Sequence, residues 1–148
     1  MTLKDWLNSG WLIQHDTTTE EMAGFLALAE RDIRDAQTKE LSEDWRFNIA
    51  YNAALQLALA ALAASGYRVG RGGSHHHYAI QSLSHTLGVE PDILRLFDRF
   101  RKKRNIAEYD SVGMISGQEA DEMLALAIRL RELLLEWLRA KHPDFLSA

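Results

Sequence analysis

The ten residues from 95 to 104 carry six cations, Arg95, Arg99, Arg101, Lys102, Lys103 and Arg104, against one carboxylate, Asp98. On a helix most of these would form a solvated basic face whose charge also suits the negative end of the helix dipole. Arg104 stands apart. Steps of four, three and four lead from Ile93 through Phe97 and Phe100 to Arg104, so its guanidinium leaves the helix on the stripe that should bury both phenylalanines. A charge there needs a partner, either Glu108 one turn on or an anionic ligand. Asn105 and Tyr109, four apart on the adjacent stripe, complete a polar patch of Arg104, Asn105, Glu108 and Tyr109 at the end of an apolar face. The same residues equally suit a structural Arg–Glu pair beside a hydrogen-bonded tyrosine.

Other combinations of reactive residues are sparser. His75, His76 and His77 are consecutive, so on a helix they point about 100° apart and cannot all face one metal; no His-x-x-x-His pair exists either. His85 follows Gln81 by four and reads as a core or groove histidine, or as an alternative acid–base group. Glu108 and Asp110 are two apart and do not stack on one helical face, which argues against a magnesium pair. The run Gly70-Arg71-Gly72-Gly73-Ser74 opens onto a helix start, where free amides favour an anion. It lacks the lysine and spacing of a P-loop and reads as a mobile loop. With no cysteine in the chain, thiolate zinc sites, cysteine nucleophiles and a disulfide framework are excluded. No metal site and no cofactor are expected.

The elements that must position these residues are helices. A threonine cap with glutamate three residues on, Thr18 and Glu21, opens a helix predicted over 18–37 with Met22, Phe25, Leu26 and Leu28 on its apolar side. Ser42, followed by Glu43 and Asp44, starts a second helix that ends at Gly66, where a left-handed cap is wanted. Its alanines interleaved with leucines over 50–64 allow a close helix approach, and they make it the central core element. Asn48, Asn52 and Gln56 interrupt its apolar surface, which argues against a membrane span. Ser74 is expected to cap a third helix running to about Leu87. Pro91, at a first-turn position, opens a fourth that runs to about Tyr109. A loop over 110–115 follows, and Ser116 with Glu119 forms a capping box for a last helix reaching about Ala140, stopped before Pro143. Ahead of all these, Leu3, Trp6, Leu7 and Trp11 suggest a short amphipathic helix packed on the domain. No period-two strand is expected. The predicted fold class is all-α: one domain over 1–148, an antiparallel up-and-down bundle of four main helices plus a short N-terminal helix, with 1–17 as an extension packed on the bundle.

A chain of 148 residues is about one domain's worth, long enough to bury a core. Its net charge of −4 is unlike that of a dedicated nucleic-acid coat, so any basic surface must be local. The opening residues lack the basic and long apolar regions of a signal peptide, and no apolar run approaches about 18 residues. The expected location is cytoplasmic, with no membrane partner.

The segment Arg104-Asn105-Ile106-Ala107-Glu108-Tyr109-Asp110 resembles the signature region of the HEPN superfamily (higher eukaryotes and prokaryotes nucleotide-binding). Residues 29–36, Ala-Glu-Arg-Asp-Ile-Arg-Asp-Ala, resemble that family's first helix. Tyr51-Asn52-Ala53-Ala54 resembles its second, and Gly73-Ser74-His75-His76 the polar start of its third. The likeness spans roughly 18–138. It implies a four- to five-helix bundle, commonly a homodimer whose motif helices face a shared cleft. It further implies either a metal-independent ribonuclease of toxin, antiphage or RNA-processing systems, or the companion of a small nucleotidyltransferase. Arg104 and Asn105 match the Arg and polar positions of the ribonuclease motif. Tyr109 stands where the family's histidine would be. Tyrosine titrates near ~10 and histidine near ~6.5, so the phenol is a poor acid–base group at neutral pH, although it can still donate to a phosphate or stack on a base. The expectation is therefore a module binding nucleotide or RNA phosphate through Arg104, Asn105, Tyr109, Arg101 and Lys102. The alternatives are a ribonuclease with Arg104, Asn105 and Tyr109 as its catalytic set, or a protein-interaction bundle.

Overall fold

The computed structural model describes residues 1–72, 74–109 and 114–146, giving the helical backbone alone for 106–109. The fold is predominantly helical. In chain order it runs α1 (Leu3–Asn8), β1 (Leu12–Gln14), α2 (Thr19–Asp35), α3 (Glu43–Ala64), β2 (Tyr67–Val69), α4 (His75–Gln81), a 3₁₀ turn (Ser82–Ser84), α5 (Pro91–Tyr109), α6 (Gly117–Lys141) and a second 3₁₀ turn (Pro143–Leu146).

Helix boundaries follow local chemistry. The side chains of Thr18, Ser42 and Ser116 accept hydrogen bonds from the amides of Glu21, Trp45 and Glu119, satisfying donors that a helix start leaves open. At Ser116 the box closes, because Glu119 accepts from the Ser116 amide at 3.1 Å. At Thr18 it does not, because Glu21 turns outward to Thr17 and His15. Gly66 follows α3 with φ of +97°, a conformation that favours glycine.

Helix α3 is the central element. It packs most extensively on α2 and α6, and Ala50, Ala53, Ala54, Leu57, Ala58 and Ala61 are all fully buried. By length and composition α3 is the one helix among the described residues that could cross a membrane. Its apolar surface is instead consumed by the core, leaving Asn52 on the outside. Helix α5 adds Phe97 and Phe100, which meet Tyr51 and Phe47 of α3 edge to face at 5.7 and 5.3 Å between ring centroids. This geometry is favourable for aromatic pairs.

Two expectations fail. The chain does form strands: β1 and β2 pair antiparallel, with Leu12 opposite Val69. Each has three residues, too few to print an alternation in the sequence. The sheet clamps the N-terminal extension on the bundle, with Leu12 only 1% exposed and Trp6 buried. Ser74 does not cap the third helix; its φ is +67°, its side chain makes no cap bond, and the α-helix ends at Gln81 before tightening into the 3₁₀ turn. The side chains of Glu108 and Tyr109, residue Gly73, and residues 110–113 of the expected loop lie outside the described residues.

Candidate functional site

The stripe on α5 that buries Phe97 and Phe100 ends at Arg104, which is half-buried. Its guanidinium carbon sits 4.9 Å from the centroid of the Tyr51 ring, within cation–π range. Tyr51, fully buried in α3, is thus flanked by Phe97 and Arg104 from the same helix. A buried phenol requires a polar partner, and here it is His76 of α4, whose Nδ1 lies 3.0 Å from the Tyr51 hydroxyl oxygen. Burial pushes the Tyr51 phenol up to about 12 against the opposing pull of Arg104 and Arg101. The hydroxyl therefore keeps its proton at neutral pH and can donate it to an unprotonated Nδ1. Arg104 over the Tyr51 ring and His76 at its hydroxyl make one cluster of guanidinium, phenol and imidazole drawn from three helices.

Asp98 anchors the flank. Arg101 donates to it from Nε at 2.8 Å, Lys102 lies 3.5 Å away, and His77 Nδ1 lies at 3.8 Å. Burial pushes the Asp98 carboxyl up, but hydrogen bonds and charge from Arg101 and Lys102 outweigh it and hold the group below the usual carboxylate range. The remaining cations of the cluster are also matched: Arg95 to Asp92, Arg99 to Glu122 at 4.0 Å, and Lys103 to Glu119 at 2.6 Å. The basic run is therefore a laced helix face more than an open cationic surface. The charges that act on Tyr51 are those of Arg104, Arg101 and Asp98.

Of the sequence-derived residues, Arg101 and Lys102 come together on Asp98, with Lys102 largely exposed, and Arg101 shares with Arg104 an influence on the Tyr51 phenol. Asn105 is exposed one residue beyond Arg104. Tyr109 belongs to the same helix, and its side chain is among those not described. The three consecutive histidines diverge as their spacing requires. His75 faces a cleft shared with Arg68 and His15, His76 meets Tyr51, and His77 approaches Asp98. Among the described residues no group of three or more His, Cys, Asp or Glu side chains is arranged to hold a metal ion.

Two features escaped sequence reading. The first is the Tyr51–His76 pair. Its available signal was a tyrosine within an otherwise Ala/Leu helix, a phenol that had to find a partner once buried. The second is a knot where β1 meets α2. Thr17 donates to Glu21 Oε1 at 2.6 Å, and His15 Nε2 lies 2.6 Å from the same oxygen. The Thr17 bond first, then His15, hold the Glu21 carboxyl below its usual range. Compared with protein-family models and with curated proteins, the chain matches none.

Proposed function

We propose that this chain is a HEPN-like helical module that binds nucleotide or RNA phosphate at Arg104. The observation that carries the reading is the half-buried guanidinium laid on the Tyr51 ring, at the end of an apolar stripe, with Arg101 also acting on that ring. Stacking on an aromatic face restricts an arginine's rotamers and keeps its N–H fork in one plane, the geometry that pairs with two phosphate oxygens. Asn105, and by the resemblance Tyr109, complete the donor set of this reading. By its resemblance the module works in the cytoplasm as a homodimer, the companion of a small nucleotidyltransferase in a toxin–antitoxin or defence-type system. Across a dimer axis, two Arg104 side chains would repel unless an anion lay between them.

Binding of 5′-mononucleotides and of mixed RNA, measured in excess EDTA, tests the proposal. Loss of a charged hydrogen-bonding group costs about 1.5–3 kcal/mol, so Arg104→Ala should bind at least about tenfold more weakly. Unchanged affinity removes Arg104 from the site.

One observation favours a second reading, a metal-independent endoribonuclease. His76 of α4 brings an imidazole to the hydroxyl of the Tyr51 ring that carries Arg104, so a histidine is close to the phosphate-binding residue of the proposal. In EDTA, RNA cleavage lost in both Arg104→Ala and His76→Ala selects this reading, and intact RNA with the wild-type protein rejects it.

A further inference from the structure

A second cleft opens on the other side of α4. It has a volume of about 500 Å³, within the range of small-molecule sites, and its wall is aromatic. Trp11 and Tyr78 stack nearly parallel, 5.0 Å apart at 20°. Trp6 stands edge-on to both, at 6.0 and 5.8 Å, and the His85 ring meets Trp6 at 5.2 Å. Trp11 and Tyr78 are partly buried against the core and line the cleft with the ring surface that remains. Polar groups stand among the rings: Gln81 offers both an amide donor and a carbonyl acceptor, and the imidazoles of His77 and His85 face the same space.

Flat apolar walls with a few donors and acceptors at the edge complement a planar nitrogen heterocycle. The rim adds charge selectivity. Gln81 also lines the adjoining depression with Arg95 and Asp98, and His77 links the cleft to Asp98 and so to Arg101 and Lys102. Asp98 is already matched by those two cations, so this rim favours a ligand carrying negative charge over an ammonium. Consecutive residues of α4 connect the regions: His76 reaches Tyr51 under Arg104, and His77 reaches the aromatic cleft.

We infer that the cleft formed by Trp6, Trp11, Tyr78, Gln81 and His85 is a nucleobase site, holding the base of a nucleotide whose phosphate runs toward the α5 face. The inference rests on the phosphate reading of that face and adds the base as the second recognised group. Base stacking on an aromatic side chain is sequence-tolerant, and its loss typically costs about tenfold or more in affinity.

The full chain is titrated with AMP, GMP, CMP and UMP, with ribose 5-phosphate as the probe that lacks a base, and with a ten-nucleotide single-stranded RNA. The mononucleotides should bind about tenfold or more tighter than ribose 5-phosphate and shift the Trp11 indole resonance of the wild-type protein. Trp11→Leu and Tyr78→Leu should each remove that advantage while leaving ribose 5-phosphate binding unchanged. Equal binding of mononucleotides and ribose 5-phosphate, with Trp11 unmoved, overturns the base site; because the resonance is read on wild type, this holds even if a variant fails to fold. If Arg104→Ala leaves ribose 5-phosphate binding unaltered while the base advantage persists, the phosphate reading fails and the cleft stands. RNA binding more than tenfold tighter than any mononucleotide assigns the site to a strand, and comparable binding assigns it to the free nucleotide.

Discussion

Gly70 ties the aromatic cleft to the fold, and replacing it tests both. Its amide donates to the Trp11 carbonyl at 2.8 Å, just beyond the pairing of Leu12 with Val69. A Cβ added at Gly70 would lie 2.6 Å from the Gly10 carbonyl oxygen, 3.2 Å from that of Trp11 and 3.3 Å from the Trp11 carbonyl carbon. All three are backbone atoms, so no side chain can swing away, and the strands must part by several tenths of an ångström. Overpacking of this kind costs about 1–3 kcal/mol. For a chain of this length each kcal/mol moves Tm by about 2–4 °C, so Gly70→Ala should melt about 2–12 °C below wild type. The matching control is Gly24→Ala. Gly24 is exposed in α2 with nothing within 4 Å of an added Cβ, and alanine in a helix interior gains about 0.5–1 kcal/mol over glycine. That variant should melt higher by about 1–4 °C. Calorimetry or circular dichroism reads both variants, and near-ultraviolet dichroism of Gly70→Ala should report a disturbed Trp11–Tyr78 stack. If Gly70→Ala melts within a degree of wild type with unchanged aromatic signals, the close approach of β2 to the Gly10–Trp11 turn is wrong.

Leu57→Asp puts an unpaired charge in the fully buried face of α3 and should abolish cooperative melting. Leu59→Asp, at a half-buried position, should leave a folded but weakened protein, and identical behaviour of the two variants would argue against this orientation of α3. Asp98→Asn removes the negative charge shared by Arg101 and Lys102. Because the folded carboxyl is held below its unfolded range, its contribution is fully present above about pH 4 and is lost as pH falls through the depressed value. Urea titrations should therefore show the stability gap between wild type and Asp98→Asn closing from pH 5 to pH 2; a gap that stays constant would mean the pairing contributes nothing. Tyr51→Phe keeps the ring under Arg104 but deletes the bond to His76, for an expected cost of about 1 kcal/mol. Its His76 ring resonances, followed by NMR at fixed pH, should move relative to wild type, and unmoved resonances would separate the two residues.

The helices were legible because their signals are local. Thr18, Ser42 and Ser116 cap the starts that their neighbours announced, and Pro91 opens α5. The stripe from Ile93 to Arg104 gave the buried face of α5 correctly, since periodicity along one helix determines which residues share a side. The sheet was not legible: three-residue strands hold together by pairing across more than fifty positions, as Leu12 with Val69, and by the close approach at Gly70. Ser74 misled because a serine ahead of a helix caps only with extended backbone, and its positive φ turns the side chain away from that role.

The site divides along the same line. Arg104 could be picked out because a charge on an apolar stripe is anomalous within one helix. Tyr51 and His76 could not be joined to it, because their relation is set by how α3, α4 and α5 meet, and no spacing encodes that. Helix α4 has only seven residues, yet its successive histidines leave it about 100° apart, so His76 serves the Tyr51 hydroxyl while His77 serves the aromatic cleft. A rotation of α4 by one residue would exchange those neighbours, and α4 itself is held by Ala79 and Ile80, both fully buried. Enlarging Ala79 to leucine should therefore disturb phosphate binding at Arg104 and ring stacking at Trp11 together, a coupling that two independent surface patches would not have.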